Sequence, residues 1–155
     1  MKISRAAVVF ACALTAPFVA GCGEDACDPG FEREAGVCVD VRAQFVGTWT
    51  ASDTCNRSGT ATYNVEIALD PATQDGLLVS SFWNAFIAPV RASLSGDALS
   101  ISRQEPDADE YFVIGTGVVD ATGNVSFDYR VSDETDPAAI LIDRCQSTWT
   151  MPEGI

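Results

Sequence analysis

The sequence predicts an all-β protein, an antiparallel up-and-down meander of about eight strands that forms a closed or nearly closed barrel. Apolar and polar residues alternate with period two in most segments after Gln44, as in Val125, Phe127, Tyr129 and Val131, which are separated by polar residues. The breaks between these segments carry turn residues, and no segment has the spacing of an amphipathic helix. Closure into a barrel would leave this sheet without exposed edges.

The predicted strands follow one another through short links. They cover residues 45–52, 60–69, 76–83, 89–95, 98–103, 111–119, 124–132 and 145–151. The links contain strong turn signals, namely Asp70-Pro71, Asp75-Gly76, Ser95-Gly96-Asp97, Gly123-Asn124 and Asp136-Pro137. Links of this length join neighbouring antiparallel strands, so we expect each strand to pair with the next and the last strand to pair with the first.

The N-terminus has the order of a secretory leader. Lys2 and Arg5 provide positive charge, residues 6–16 are apolar, and small residues precede Cys22. The apolar stretch is shorter than the about 20 residues that a stable transmembrane helix requires. We therefore expect residues 1–21 to be a signal peptide.

The segment Val19-Ala20-Gly21-Cys22 resembles the lipobox of bacterial lipoproteins residue for residue. In that family the cysteine thiol carries a diacylglycerol, and the leader is cut just before the cysteine. The resemblance implies that Cys22 is the lipidated N-terminus of a protein anchored in the bacterial cell envelope. Gly23 stands where some lipoproteins carry an aspartate that retains them at the inner membrane, which favours the outer membrane, on its periplasmic or surface face. The alternative is an ordinary signal peptide, with Cys22 in a disulfide.

The remaining cysteines predict two disulfides. Cys12 lies in the leader, and the four others are Cys27, Cys38, Cys55 and Cys145. An even number of cysteines in an exported protein indicates disulfide bonding, and three pairings exist. We predict Cys27–Cys38 and Cys55–Cys145, because antiparallel pairing of the first and last strands with Thr50 opposite Thr150 places the second pair side by side. A metal site of four thiolates is the alternative, and we expect neither a metal nor a cofactor.

The segment between the leader and the strands is short and stapled. Turn signals at Asp28-Pro29-Gly30 and Ala35-Gly36 lie between Cys27 and Cys38. Its cysteine spacing looks like that of the cysteine stubs that follow the lipid anchor in many bacterial lipoproteins. It is too short to hold a core, so we interpret residues 22–43 as a spacer and residues 44–155 as the single folded domain.

Composition excludes several classes of function. The formal net charge is −13, and without the positive charges of Lys2 and Arg5 it falls to −15. Such a chain is repelled by phosphate backbones, so nucleic acid is not an expected partner. The chain has no histidine and its only lysine is Lys2, which excludes Ser-His-Asp triads, histidine-ligated zinc and lysine nucleophiles in the exported part.

Two clusters of acidic residues have two possible interpretations, calcium-binding loops or hairpin tips exposed to solvent. They comprise Glu105, Asp107, Asp109 and Glu110 in one cluster and Asp133, Glu134 and Asp136 in the other. Calcium binds six to eight oxygens, but neither cluster has the complete spacing of a known calcium loop. We favour solvated tips. Paired carboxylates also allow a glycoside hydrolase, but no sequence feature pairs one with a substrate cleft.

Several motifs resemble those of small lipocalin-like β-domains found in lipid-anchored bacterial proteins. Residues 45–52 look like the opening Gly-x-Trp strand of that group, and Cys145 precedes a second tryptophan strand. The resemblance covers most of residues 44–151 and implies a lipocalin-like barrel.

The function that we predict is a non-enzymatic binding module for a small apolar ligand or for a protein or glycan partner. The densest aromatic segment, residues 82–87, either lines the mouth of a cavity or packs in the core. We take Tyr63, Trp83 and Phe86 as candidate ligand-lining residues. The alternative is a structural or interaction lipoprotein with a filled core and no ligand.

Overall fold

The computed structural model describes residues 27–28 and 30–151. The predicted leader, the predicted lipidation site Cys22 and residues 152–155 lie outside this part of the chain. No helix in the described residues is both long enough and apolar enough to cross a membrane.

The described chain contains a small hairpin and an eight-stranded barrel. The hairpin consists of β1 (Phe31–Glu34) and β2 (Val37–Asp40). The barrel strands are β3 (Gly47–Cys55), β4 (Gly59–Leu69), β5 (Gly76–Ser80), β6 (Val90–Ser95), β7 (Ala98–Gln104), β8 (Tyr111–Val119), β9 (Val125–Asp133) and β10 (Leu141–Thr150). Two 3₁₀ segments complete the structure: the N-terminal 3₁₀ helix (Val41–Phe45) and the loop 3₁₀ turn (Phe82–Asn84).

The sheet is a closed antiparallel meander, which confirms the predicted fold class. Each barrel strand pairs with its neighbours in sequence, and β10 pairs with β3 to close the sheet. At this seam Cys145 lies opposite Cys55 and Thr150 lies opposite Thr50, as predicted. The disulfides Cys27–Cys38 and Cys55–Cys145 are both formed, and the second joins the two strands of the seam.

Strand limits differ from the prediction where alternation alone is a poor guide. The third predicted strand extends to residue 83, but β5 ends at Ser80 because Ser81 has a left-handed backbone, with φ 59°. The last strand begins at Leu141 rather than Cys145, since Leu141 to Arg144 pair with β9 although they do not alternate. The first barrel strand begins at Gly47, because Phe45 belongs to the preceding 3₁₀ helix.

Aromatic side chains fill the centre of the barrel. The rings of Phe127 and Trp149 are stacked with centroids 5.4 Å apart, and the Phe82 ring packs edge-on against both. Gly117 on β8 makes room for Phe127, because a Cβ atom there would lie 2.2 Å from a Phe127 ring carbon. The interior is therefore a packed core rather than an open calyx around these rings.

The links between strands divide the barrel into two unlike ends. At the closed end are the N-terminal 3₁₀ helix and the links 70–75, 96–97 and 120–124. At the loop end are the links 56–58, 81–89, 105–110 and 134–140. Three of the four links at the loop end are six residues or longer, so this end offers more irregular surface for recognition.

Candidate functional site

The closed end is plugged by the N-terminal 3₁₀ helix. Phe45 is 2% exposed and stacks on Trp49 with ring centroids 6.0 Å apart. The Trp49 indole N–H donates to the Phe45 carbonyl at 2.8 Å, which fixes the helix over the barrel. The buried rings of Phe45 and Trp49 therefore stabilise the closed end.

A partly buried ion pair fastens the β1–β2 hairpin to the same end. The Arg42 guanidinium donates to the Asp40 carboxylate at 2.8 and 2.9 Å and to the carbonyls of Thr73 and Gly76. The hydrogen bond from Arg42 holds the pKa of Asp40 below its usual value. Arg42 thus connects the hairpin to the link 70–75.

A concave pocket of about 280 Å³ opens at the loop end. We call it the mouth pocket, and it is lined by Arg57, Ser58, Trp83, Tyr111, Val131, Asp133, Leu141 and Asp143. Its aromatic wall consists of Trp83 and Tyr111, whose ring centroids are 6.4 Å apart with planes inclined by 35°. Both side chains are partly buried, so each keeps some ring surface open to a ligand.

The backbone that carries Trp83 is unusual. Ser81, Trp83 and Asn84 all have positive φ angles, of 59°, 56° and 52°. Each non-glycine residue in this left-handed region costs of order 1–3 kcal/mol, and such residues persist only where the surroundings hold them. The conformation sends Phe82 into the core and leaves the adjacent Trp83 at the barrel mouth.

The neighbouring acidic link holds this turn in place. The Asp107 carboxylate accepts hydrogen bonds from the backbone N–H groups of Ile87 and Ala88, at 2.9 and 2.6 Å. Glu105 accepts from the N–H of Glu110 at 2.6 Å. Glu105 and Asp107 of the link 105–110 thus serve as acceptors for backbone donors.

The polar wall of the mouth pocket is fastened to the seam. Asp143 is buried and accepts hydrogen bonds from the N–H groups of Arg57 and Ser58, at 2.9 and 3.1 Å. Its carboxylate lies within 4.8 Å of the sulfurs of Cys55 and Cys145. Because those sulfurs are bonded to each other, they offer no thiolate to a metal ion.

At the rim of the mouth pocket, a tyrosine and a carboxylate form a hydrogen-bonded pair. The Tyr111 hydroxyl donates to Asp133 at 3.0 Å, and this bond raises the pKa of Tyr111. Several hydrogen bonds lower the pKa of Asp133, and the one from the side chain of Thr135 has the largest effect. The Asp133 carboxylate is thus ionised at neutral pH and fixes the Tyr111 ring at the rim.

A polar triad that the sequence analysis missed lies inside the barrel. Asp53 is 4% exposed, and its Oδ2 accepts hydrogen bonds from the hydroxyls of Tyr63 and Tyr129, at 2.6 and 2.5 Å. Burial is the largest cause of the raised pKa of both phenols. The sequence does contain a signal for this triad. Asp53 is an acidic residue that continues the inward-facing series of Trp49 and Ala51 on β3.

The structure places the three candidate ligand-lining residues differently. Trp83 lines the mouth pocket, and its ring centroid lies 5.8 Å from that of Phe86. Phe86 is 5% exposed and packs in the core. Tyr63 is partly buried, and its hydroxyl donates to Asp53. Of the three, Trp83 borders the mouth pocket, and the ligand-lining role of all three stays a prediction.

No protein-family model matches this chain, and no curated protein matches it. Similar solved structures are small β-barrels. One is EF1p2_mFAP2b bound to DFHBI, with 17% identity, a TM-score of 0.46 and coverage of 71% of this chain and 96% of that chain. Another is a redesigned β-barrel, with 18% identity, a TM-score of 0.46 and coverage of 72% of this chain and 94% of that chain.

Proposed function

We propose that this protein is a non-enzymatic, lipid-anchored binding module that holds a small, largely apolar ligand in the mouth pocket. The observation that carries the proposal is the strained turn at Ser81, Trp83 and Asn84, which keeps the Trp83 ring at the barrel mouth across from Tyr111. Strained backbone of this kind clusters at active sites and ligand clamps, where the strain is part of the mechanism.

The size and chemistry of the pocket limit the ligand. About 280 Å³ is just below the roughly 300–1,000 Å³ typical of small-molecule sites, so the pocket accommodates a group about the size of a ring system. Trp83, Tyr111, Val131 and Leu141 supply apolar contact. The Ser58 hydroxyl and the Asp133 carboxylate stand at the polar side and would orient a hydrogen-bond donor on the ligand.

The packed interior argues against binding deep inside the barrel. Phe82, Phe127 and Trp149 occupy the centre, so a ligand would be held at the mouth rather than enclosed as in a calyx. The same packing supports a second candidate function, a structural or interaction lipoprotein without a ligand. The two candidates differ in whether Trp83 contacts a bound molecule.

The anchor is the other part of the proposal, and it rests on the lipobox residues 19–22. Acylation at Cys22 would tether the barrel to the bacterial envelope, and Gly23 after this cysteine favours the outer membrane. More than one acyl chain is needed for stable anchoring. Expression in a bacterial host with radiolabelled palmitate tests this. We expect label in the wild-type chain and none in Cys22→Ser, whereas label in neither would overturn the lipoprotein assignment.

Intrinsic fluorescence tests the pocket, because the three tryptophans differ in exposure. Trp49 and Trp149 are fully buried and Trp83 is not, so a ligand in the mouth pocket changes chiefly the Trp83 emission. Nile red, a neutral apolar dye, is a suitable probe. We expect energy transfer from tryptophan to bound dye and saturable dye fluorescence.

Two variants separate specific binding from adsorption of the dye. Trp83→Ala should weaken dye binding at least about tenfold, the equivalent of about 1.4 kcal/mol. Ile87→Ala is the matched control, because Ile87 is 91% exposed in the same loop and does not line the pocket. Equal loss in both variants, or no binding by the wild-type chain, would favour the lipoprotein without a ligand.

A further inference from the structure

Two arginines face each other on the outer surface of the barrel. Arg130 on β9 and Arg144 on β10 occupy directly opposite positions of an antiparallel pair, and both are exposed. Like charges at directly opposite positions destabilise a sheet. The pair therefore has an energetic cost that a structural role does not explain.

Neither arginine has a carboxylate partner among the described residues. Ion pairs within 4.0 Å there join Arg42 to Asp40, Arg91 to Asp70 and Arg103 to Glu134. The chain has 22 acidic residues and 9 basic ones, so carboxylates are plentiful. The absence of a partner at both Arg130 and Arg144 leaves two guanidinium groups free to bind an anion.

The two guanidiniums border a depression of the outer surface. It has a volume of about 690 Å³, lies over β3, β10, β9 and β8, and shares no lining residue with the mouth pocket. Thr54, Thr116 and Gln146 add hydroxyl and amide donors, and Ile114 adds an apolar contact. Asp128 is the single carboxylate lining it, opposite Gln146 in the strand register.

We propose that Arg130 and Arg144 form a binding site for a phosphate group carried by a soluble ligand. Each guanidinium presents a planar fork of N–H donors that fits phosphate oxygens, and two forks side by side offset the charge of a dianion. The strong negative charge of the whole chain opposes contact with an anionic membrane. A small soluble ligand meets this repulsion through one phosphate group, whereas a membrane meets it over many headgroups at once, so the charges favour the soluble ligand.

Inorganic phosphate is the simplest probe of this site. The full chain, purified in a non-ionic detergent, would be titrated with phosphate at constant ionic strength kept with sodium chloride, and binding followed by ³¹P NMR. We expect saturable binding that weakens at least about tenfold in Arg130→Gln and in Arg144→Gln. Arg144→Lys, which keeps the charge but loses the fork, should weaken binding by a smaller factor.

Arg91→Gln is the matched control, since Arg91 is an exposed arginine on the outer surface that pairs with Asp70. Removing its charge should leave phosphate affinity within about twofold of the wild-type value. Equal weakening in all the glutamine variants would show a general charge effect and overturn the site. Absence of saturable binding by the wild-type chain would overturn it as well.

Thermal unfolding provides a second readout that does not depend on the ³¹P NMR signal. In chloride alone, Arg144→Gln should melt no lower than the wild-type chain, because the substitution removes one of two opposed like charges. Phosphate should raise the melting temperature of the wild-type chain and of Arg91→Gln, but not that of Arg144→Gln. A lower melting temperature of Arg144→Gln in chloride would instead assign the pair a structural role.

Vesicles distinguish the two sources of phosphate. The Cys22→Ser chain, which lacks the proposed anchor, would be floated with vesicles containing 30% phosphatidylglycerol in phosphatidylcholine. We expect it to remain unbound. Flotation that is lost on Arg130→Gln would assign the site to lipid headgroups and overturn the soluble ligand.

Discussion

The two ends of the barrel cover the core in opposite ways. At the closed end Phe45 stacks on Trp49, and the indole N–H bonds back to the Phe45 carbonyl. At the loop end Trp83 is presented on a strained turn and remains partly exposed. The closed end buries Phe45 and Trp49 fully, whereas the loop end leaves Trp83 and Tyr111 partly exposed.

The difference extends to the backbone. Six non-glycine residues of the described chain have positive φ, and five of them lie in the links 81–89 and 105–110 at the loop end. They are Ser81, Trp83, Asn84, Ala108 and Glu110. The closed end has none of them, since the sixth, Ala35, lies in the β1–β2 hairpin. Because strained backbone clusters at ligand sites, its concentration at the loop end supports the proposal of a binding site there.

We expect the largest loss of stability on removal of the disulfide at the seam. Replacing Cys55 and Cys145 by alanine should lower the free energy of unfolding by about 4–5 kcal/mol, because the bond closes a loop spanning a sequence separation of 90. Replacing Cys27 and Cys38 is the control and should leave the barrel transition nearly unchanged, since that bond lies outside the barrel. Urea unfolding of both double variants measures the difference, and equal losses would contradict it.

The second prediction compares the loss of Phe45 at the closed end with the loss of Trp83 at the loop end. Phe45→Ala should cost about 3–4 kcal/mol, because a fully buried ring leaves a cavity. Trp83→Ala should cost less than about 1.5 kcal/mol, since its ring is partly exposed and the substitution leaves little cavity. Chemical denaturation measures both losses. A larger loss in Trp83→Ala would contradict the assignment of stability to the closed end and binding to the loop end.

Much of the fold could be predicted from the sequence, because alternation reports burial in half-exposed strands. Val125, Phe127 and Tyr129 alternate cleanly, and β9 lies within one residue of its predicted limits. The pairing of Cys55 with Cys145 followed from the register of the seam strands. These features depend on local pattern and on the closure of a meander, both of which can be derived from one sequence.

The mouth pocket could be predicted only in part. Trp83 was singled out as part of an aromatic cluster, but the pattern extended its strand to residue 83 because backbone strain at Ser81 leaves no mark in the alternation. Tyr111 and Asp143 were not predicted, since they join the pocket through barrel closure from distant strands. Arg57 reaches it from the 56–58 link, which Asp143 ties to β10.

Alkaline unfolding separates the interior tyrosines from the rim tyrosine. The folded pKa of Tyr63 and of Tyr129 is raised, so the stability they confer is complete below the unfolded pKa of about 10 and is lost as the pH rises above it. We expect a loss approaching about 1.4 kcal/mol per pH unit for each phenol. Tyr63→Phe should flatten this slope by about half.

Absorbance at 295 nm checks the same assignment without unfolding the protein. The chain has three tyrosines, so each accounts for a third of the tyrosinate signal. Tyr111 lies at the rim and should titrate first, whereas Tyr63 and Tyr129 should stay protonated until the barrel unfolds. The first third of the signal should vanish in Tyr111→Phe, and three simultaneous ionisations would contradict the buried triad.

The smallest effect is a change in solvent access. Acrylamide should quench Trp83 and leave Trp49 and Trp149 nearly unaffected, because both are buried. Trp83→Phe should therefore remove most of the quenchable fluorescence while the emission of the other two remains. Strong quenching in Trp83→Phe would show that the closed end or the core is open to solvent.

If the loop end holds a ligand, native mass spectrometry of the full chain, released from a non-ionic detergent, should detect the complex. We expect a small-molecule adduct on the wild-type chain and on Ile87→Ala, which is lost on denaturation and absent from Trp83→Ala. A bare wild-type mass, or an adduct that Trp83→Ala retains in full, would contradict the account.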